Sequence, residues 1–254
     1  MAYAKNGGVR IHYEVDGQGP PLVLQHGFTH SLKRWYMHGY VDTLRHDYQL
    51  VLVDARGHGG SDKPHDPDAY ALTARVRDVV AVLDDLHLDR AAFWGYSMGG
   101  RIGFGLAKYA PERITTFVIG GQHPYERRLP ESRPDGQDPD AFLKALFGRL
   151  NVDLAALPPA IREDLLANDF RALAAAQHDE PSIEDVLPRM TMPCLLYCGG
   201  ADPYYAGVKK CVSLLQDAEF VTLAGLDHGV AFREAGHVLP HVTNFLRAAA
   251  KRHS

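Results

Sequence analysis

The stretch Ala91-Ala92-Phe93-Trp94-Gly95-Tyr96-Ser97-Met98-Gly99-Gly100 decides how this chain is read. Ala91–Trp94 is a short apolar run that suits a buried strand, and Arg101–Tyr109 after it suits a helix. Between them, Gly95-Tyr96-Ser97-Met98-Gly99 matches G-x-S-x-G. A strand that turns directly into a helix holds the serine in a strained backbone conformation, so that its Oγ stands clear at the strand's C-terminal edge. Side chains at positions 95 and 99 would strike neighbouring backbone, which glycine avoids. The helix start then aims N–H groups at any negative charge that develops beside the serine. Taken alone, G-x-S-x-G in a chain with 24 glycines is a weak signal, and Ser97 as a plain turn residue is the alternative. The flanking strand and helix favour a nucleophile.

Similar apolar runs lie on either side. Val9–Val15 reads as a strand. Leu22–Gln25 stops at His26-Gly27, Gln49–Val53 at Asp54-Ala55-Arg56-Gly57, and Ile114–Ile119 at Gly120-Gly121. Cys194–Cys198 stops at Gly199-Gly200, and Glu219–Leu223 ends near Gly225. Continuous apolar runs of this length suit strands covered on both faces, as in a parallel sheet. Helical spacing separates them: Val76, Val79, Val80, Leu83 and Leu86 form one stripe, and Val238, Val242, Phe245, Leu246 and Ala249 another. The expected fold class is α/β, a mostly parallel sheet with helices on both faces.

One interval breaks the rhythm. About seventy residues separate the strand ending near Gly121 from the one beginning near Pro193, far more than a crossover needs. It opens polar and Pro-rich over 124–139, then carries helix-like pieces at Ala141–Leu150 and Pro159–Ala176. Residues 124–188 are expected to form a small inserted helical cap, with 1–123 and 189–254 as the core. The plainer alternative is a surface excursion with one ordinary crossover helix.

A serine needs a base, and the base an orienting acid. Chain order Ser, Asp, His is expected for this architecture. Asp202 follows the glycine-rich end of the strand Cys194–Cys198, and His228 follows the strand Glu219–Leu223 within Gly225-Leu226-Asp227-His228-Gly229. All three residues therefore sit in loops after strand C-termini, which converge on one edge of a parallel sheet. Ser97, Asp202 and His228 are the expected catalytic residues. His228 as a local loop cap and Asp202 as an Asx-turn residue before Pro203 are the plainer alternatives. Asp227 is the rival acid, but consecutive side chains diverge, so its carboxylate is expected to face away from the imidazole.

Developing negative charge needs two fixed donors. The backbone N–H of Met98 is one candidate and that of Phe28, in His26-Gly27-Phe28, the other. His26 is expected to hydrogen-bond loop backbone. Asp54-Ala55-Arg56-Gly57-His58-Gly59-Gly60-Ser61-Asp62 reads as a bent loop pinned by its own side chains. No metal-ligand spacing, Walker A motif or G-x-G-x-x-G after the first strand is present, so no metal and no cofactor are expected.

Composition adds bounds. The 254 residues are 46% apolar and 23% charged, as in a one-domain globular chain, and the net charge of -4 gives no basic footprint for nucleic acid or an anionic membrane. Residues 1–10 lack the apolar stretch of a signal peptide and no window approaches a membrane span, so a cytoplasmic location is expected. Cys194, Cys198 and Cys211 are expected to be reduced core thiols.

Together, His26-Gly27-Phe28, Asp54-Ala55-Arg56-Gly57-His58-Gly59, Gly95-Tyr96-Ser97-Met98-Gly99-Gly100, Gly199-Gly200-Ala201-Asp202 and Asp227-His228-Gly229 resemble the α/β-hydrolase superfamily over essentially the whole chain. They are most similar to the branch of small carboxylesterases, lactonases, cofactor-free haloperoxidase-like perhydrolases and carbon–carbon bond hydrolases. Serine in place of aspartate at the turn argues against haloalkane dehalogenases and epoxide hydrolases. The resemblance implies a cap that roofs the pocket and acyl transfer on a small-molecule ester, with no macromolecular partner required. It also implies pocket walls drawn from Phe28, His30, Trp35, Tyr96, Met98, His123 and Tyr204, each of which has core packing as its alternative. Lactonase, perhydrolase and carbon–carbon bond chemistry use the same three residues. A ligand sensor with little turnover is the reading from a different class.

Overall fold

The computed structural model describes residues 1–131, 133–150 and 154–252. Eight strands form one sheet: β1 Ala2–Asn6, β2 Val9–Asp16, β3 Pro21–Gln25, β4 Gln49–Val53, β5 Ala91–Tyr96, β6 Ile114–Gly120, β7 Cys194–Gly199 and β8 Ala218–Leu223, in the order β1-β2-β4-β3-β5-β6-β7-β8. Of these, β2 runs against the rest. The strands read from apolar runs are present to within a residue or two at each end. β1 lies outside those readings, because only Ala4 of its five residues is buried and it forms no apolar run. It joins β2 through Gly7 and Gly8, both at positive φ, as a two-residue hairpin turn requires.

The continuous runs are buried on both faces. Leu22, Leu24, Leu50, Leu52, Trp94 and Leu195 pack with helices α1 Lys33–Met37, α2 Tyr40–Leu44, α9 His228–Arg233 and α10 Ala235–Arg252. Val23, Val51, Phe93, Phe117 and Leu196 pack on the other side with α3 Leu72–Asp85, α4 Met98–Tyr109 and α8 Tyr205–Val212. Cys194, Cys198 and Cys211 are buried free thiols. No helix among the described residues is long and apolar enough to cross a membrane.

Between β6 and β7 run α5 Pro139–Arg149, α6 Pro159–Leu166 and α7 Phe170–Ala176. They share a separate apolar cluster that includes Phe142, Leu146, Phe147, Ile161, Leu165 and Leu173, with Phe28 packed against it. The stretch Pro159–Ala176, expected as one helical piece, is two helices. Asp169 breaks it by accepting from Ala172 N at 3.0 Å as the N-cap of α7, and Asn168 beside it donates to Leu165 O at 2.9 Å. Residues 132 and 151–153 of the expected cap, and 253–254 of the expected core, lie outside the described residues.

The strand order reverses at β3, which has β4 on one side and β5 on the other. Crevices at such a switch point, beyond the strand C-termini, are where ligands bind in open α/β sheets. The loop holding Phe28 leaves β3 there and Ser97 leaves β5.

Candidate active site

Ser97 has φ 52 and ψ -112, a conformation that side-chain-bearing residues rarely adopt. It is enforced from both sides. A Cβ at position 95 would lie 2.2 Å from Gly99 O, and one at position 99 would lie 2.2 Å from Gln25 O. Ser97 N donates to Gly120 O at 2.8 Å, anchoring the turn to β6. The serine is thus held by the β5–α4 backbone and two neighbouring strands.

Ser97 Oγ lies 2.9 Å from His228 Nε2, and His228 Nδ1 lies 2.7 Å from Asp202 Oδ2. Asp202 and the imidazole are both nearly excluded from solvent, with side-chain exposures of 0% and 6%. The second carboxylate oxygen of Asp202 accepts from Tyr204 N at 2.9 Å, which fixes the carboxylate plane. Asp227 faces elsewhere: its Oδ1 accepts from Val230 N at 2.7 Å, capping α9. Tyr96 donates its hydroxyl to the carbonyl of His228, a brace between the residue beside Ser97 and His228 itself.

The two candidate donors, Phe28 and Met98, border the same cavity as the serine. Met98 is the first residue of α4, so no intrahelical carbonyl reaches its N–H. In the loop after β3, Thr29 N donates to His58 Nε2 at 3.3 Å and His30 N to Gly27 O at 3.2 Å, which fixes the backbone next to Phe28. That loop is close to the serine, since a Cβ on Gly27 would lie 3.5 Å from Ser97 Cβ. Polar side chains support it from beneath. His26 Nε2 accepts from Ala55 N at 3.1 Å, and Asp54 accepts from Leu32 N at 2.7 Å and Gly60 N at 2.8 Å. Burial pushes His26 and His58 below the usual histidine range, so both act as neutral hydrogen-bonding posts.

Two cavities flank Ser97. One, of about 60 Å³, is apolar: Leu146, Phe147, Leu157, Ile161, Leu165 and Phe232 close over Ser97 and His228, with His30 and Tyr96 in the wall. The His30 imidazole stacks on Phe232 at 5.4 Å and is held well below the usual histidine range by burial and by Arg34. The second, of about 220 Å³, is lined by Ser97, Met98, Phe28 and Tyr204 and by Arg75, Arg127, Arg128 and Arg149.

Of the residues expected to line the pocket, Phe28, His30, Tyr96, Met98 and Tyr204 border one cavity or the other. Trp35 and His123 do not. Trp35 is wholly buried, edge-on to Tyr40, Trp94 and Phe232, and Phe232 stands between it and the cavity. His123 sits behind Tyr204, its ring 5.4 Å from the tyrosine, and Tyr204 in turn meets His228 edge-on at 5.3 Å. Phe147, Ile161, Phe232 and the arginines escape a reading of the sequence. The apolar ones carry only the helical periodicity shared by any core residue. Arg149 lies in the last turn of α5, where a cation needs no further explanation.

Known proteins share this arrangement of strands and helices. The chain is 27% identical to a non-heme chloroperoxidase of Streptomyces lividans, over 95% of this chain and 97% of that one. It superposes on an esterase from Rhodococcus sp. ECU1013 with a TM-score of 0.82, at 25% identity over 97% of this chain and 98% of the other. The enol-lactonase from Burkholderia xenovorans LB400 gives 0.80, at 25% identity over 97% and 100%. The model of the alpha/beta hydrolase fold matches residues 20–178, more than half of the chain, so the chain belongs to the α/β-hydrolase family.

Proposed function

We propose that the protein is a serine hydrolase that cleaves small carboxylic esters through an acyl-enzyme on Ser97. The carrying observation is the unbroken relay Ser97 Oγ–His228–Asp202, at 2.9 and 2.7 Å, with the serine on a strained strand–helix turn. His228 Nε2 takes the hydroxyl proton as Oγ attacks the carbonyl, and Asp202 holds Nδ1–H and stabilises the imidazolium that results. The N–H groups of Phe28 and Met98 receive the negative charge on the carbonyl oxygen. The imidazolium then gives its proton to the departing alkoxide. Water, deprotonated by the same nitrogen, attacks the acyl carbonyl, and the carboxylic acid leaves with Ser97 restored. A lactone follows the same course with the alcohol still tethered, and the similar Burkholderia protein is an enol-lactonase.

In this reading residues 124–188 are a cap. Leu146 and Phe147 of α5 and Ile161 and Leu165 of α6 lie over the serine, and they limit the acyl chain. The test is turnover of p-nitrophenyl esters of graded acyl length, with lactones and a peracid assay alongside. Hydrolysis that Ser97→Ala removes supports the proposal. Ligand binding without turnover of any ester or lactone would point to a sensor instead.

A further inference from the structure

The cavity of about 220 Å³ beside Ser97 is charged in one sense. Among the described residues four arginines line it, and Glu180 is the one carboxylate. That carboxylate is already taken. Arg127 holds Glu180 at 3.0 Å, Arg101 approaches it at 3.8 Å, and the backbones of Arg127 and Glu180 exchange two hydrogen bonds of 2.8 Å. Burial would raise the Glu180 carboxyl, but Arg127, Arg101 and Arg75 outweigh it and hold the group ionised. Arg128 is occupied by Glu126 at 2.9 Å. Arg75 is spent on backbone, donating to Tyr70 O at 3.0 Å and Ala176 O at 2.8 Å.

Arg149 is different. It is half-buried, and no carboxylate among the described residues lies within ion-pair distance of it. Burial and repulsion from Arg127 both press its guanidinium towards the neutral form. A partly desolvated guanidinium is strongly disfavoured without a counter-ion. Its fork of donors matches a flat oxyanion such as a carboxylate.

We propose that Arg149, with Arg127 behind it, receives a carboxylate on the substrate, so that the preferred substrates are esters or lactones of acids carrying a second, free carboxylate. The proposal rests on Ser97 chemistry in the same cavity. Arg127 connects the arginines to Asp202, since it donates to the Tyr204 hydroxyl at 3.3 Å while Tyr204 N holds Asp202.

The test compares mono-p-nitrophenyl adipate with p-nitrophenyl hexanoate, which differ only in carboxylate against methyl at the far carbon. The expected wild-type kcat/KM favours the adipate by at least ~10-fold, the scale of one charge-assisted pair. Arg149→Gln is expected to bring the ratio near one, acting mainly through KM, and Arg149→Lys to restore part of it. Arg247→Gln removes a cation from α10, where Arg247 pairs with Asp47, and leaves the ratio at the wild-type value. A wild-type ratio at or below one, or a ratio unmoved by Arg149→Gln, overturns the proposal while leaving the hydrolase reading intact. If neither ester is hydrolysed, calorimetric binding of adipate decides. Binding lost in Arg149→Gln upholds the carboxylate site and removes the hydrolase reading, and no binding removes both.

Discussion

Ser97 stands between two unlike constructions. Below it, loops from β3, β5, β7 and β8 fix each reactive group through backbone: a turn two glycines make possible, a carboxylate pinned by Tyr204 N, a base braced by Tyr96. Above it, α5, α6 and α7 contribute side chains only, and side chains fasten them to the sheet. Arg34 reaches Asp164 at 2.7 Å, Asn168 reaches Thr29 O at 2.9 Å, and Arg75 reaches Ala176 O at 2.8 Å. Under the proposed function, the lower part sets the chemistry and the upper part the choice of substrate. Substitutions below are therefore expected to change rates by orders of magnitude, and substitutions above to change which ester is taken.

The largest break in that division comes from Ser97→Ala. Loss of roughly 10⁴–10⁶ in kcat on any ester is expected, with an unchanged circular dichroism spectrum. More than a tenth of wild-type turnover would place the chemistry elsewhere.

Next come the two neighbouring acids. Asp202→Asn leaves the imidazole free to take the wrong tautomer, with a loss of about 10⁴. Asp227→Asn keeps a helix-capping oxygen on α9 and costs about tenfold or less, through the position of His228 alone. Comparing kcat/KM of both variants on one ester checks the assignment, and the reverse order of losses would exchange the roles.

A change in the roof is expected to be smaller and selective. The apolar cavity of about 60 Å³ accommodates only a short chain, so among uncharged acyl groups the wild type should prefer those of roughly two to six carbons. Phe147→Ala opens it, and the optimum is expected to move to longer chains with changes of roughly tenfold. An optimum that stays in place would detach Phe147 from acyl selection.

The smallest expected effect concerns the supports. His26, His30 and His58 are depressed by burial, and His38 is lowered to about 4 by burial and by Arg34 and Arg233. A histidine whose folded-state pKa lies below its unfolded value binds more protons unfolded. Its stabilising share is complete above about pH 6.5 and shrinks as pH falls towards the folded value, at up to ~1.4 kcal/mol per pH unit per group. Urea midpoints measured between about pH 7 and 4 should fall with pH, and His38→Gln should flatten the curve. A midpoint that rises on acidification would contradict the buried neutral assignment.

The same division separates what is legible in the sequence. Ser97 is found because strand, turn and helix are all local, and Asp202 and His228 because each follows its own apolar run. β1 escapes because, at the edge of the sheet, it buries only Ala4 and so carries no apolar run. Trp35 and His123 do not border either cavity because an aromatic residue that follows a strand can point into the cavity or behind its wall. A single ring, Phe232 or Tyr204, decides which, and that ring is distant in sequence. The roof is the hardest part to read, since its cavity-facing residues are those of an ordinary helical core and Arg149 matches a helix-terminus cation.

The hydroxyl that Tyr96 gives to the His228 carbonyl has a thermal consequence. Ser97 and His228, 131 residues apart in the chain, are thereby braced by a bond that is itself buried. The roof hangs instead on the side-chain ties from Arg34, Asn168 and Arg75, and segments held in that way open at lower free energy than core strands. On warming, the protein should therefore lose its discrimination among substrates before it loses its capacity to react, passing through a temperature range in which it is still active but less selective.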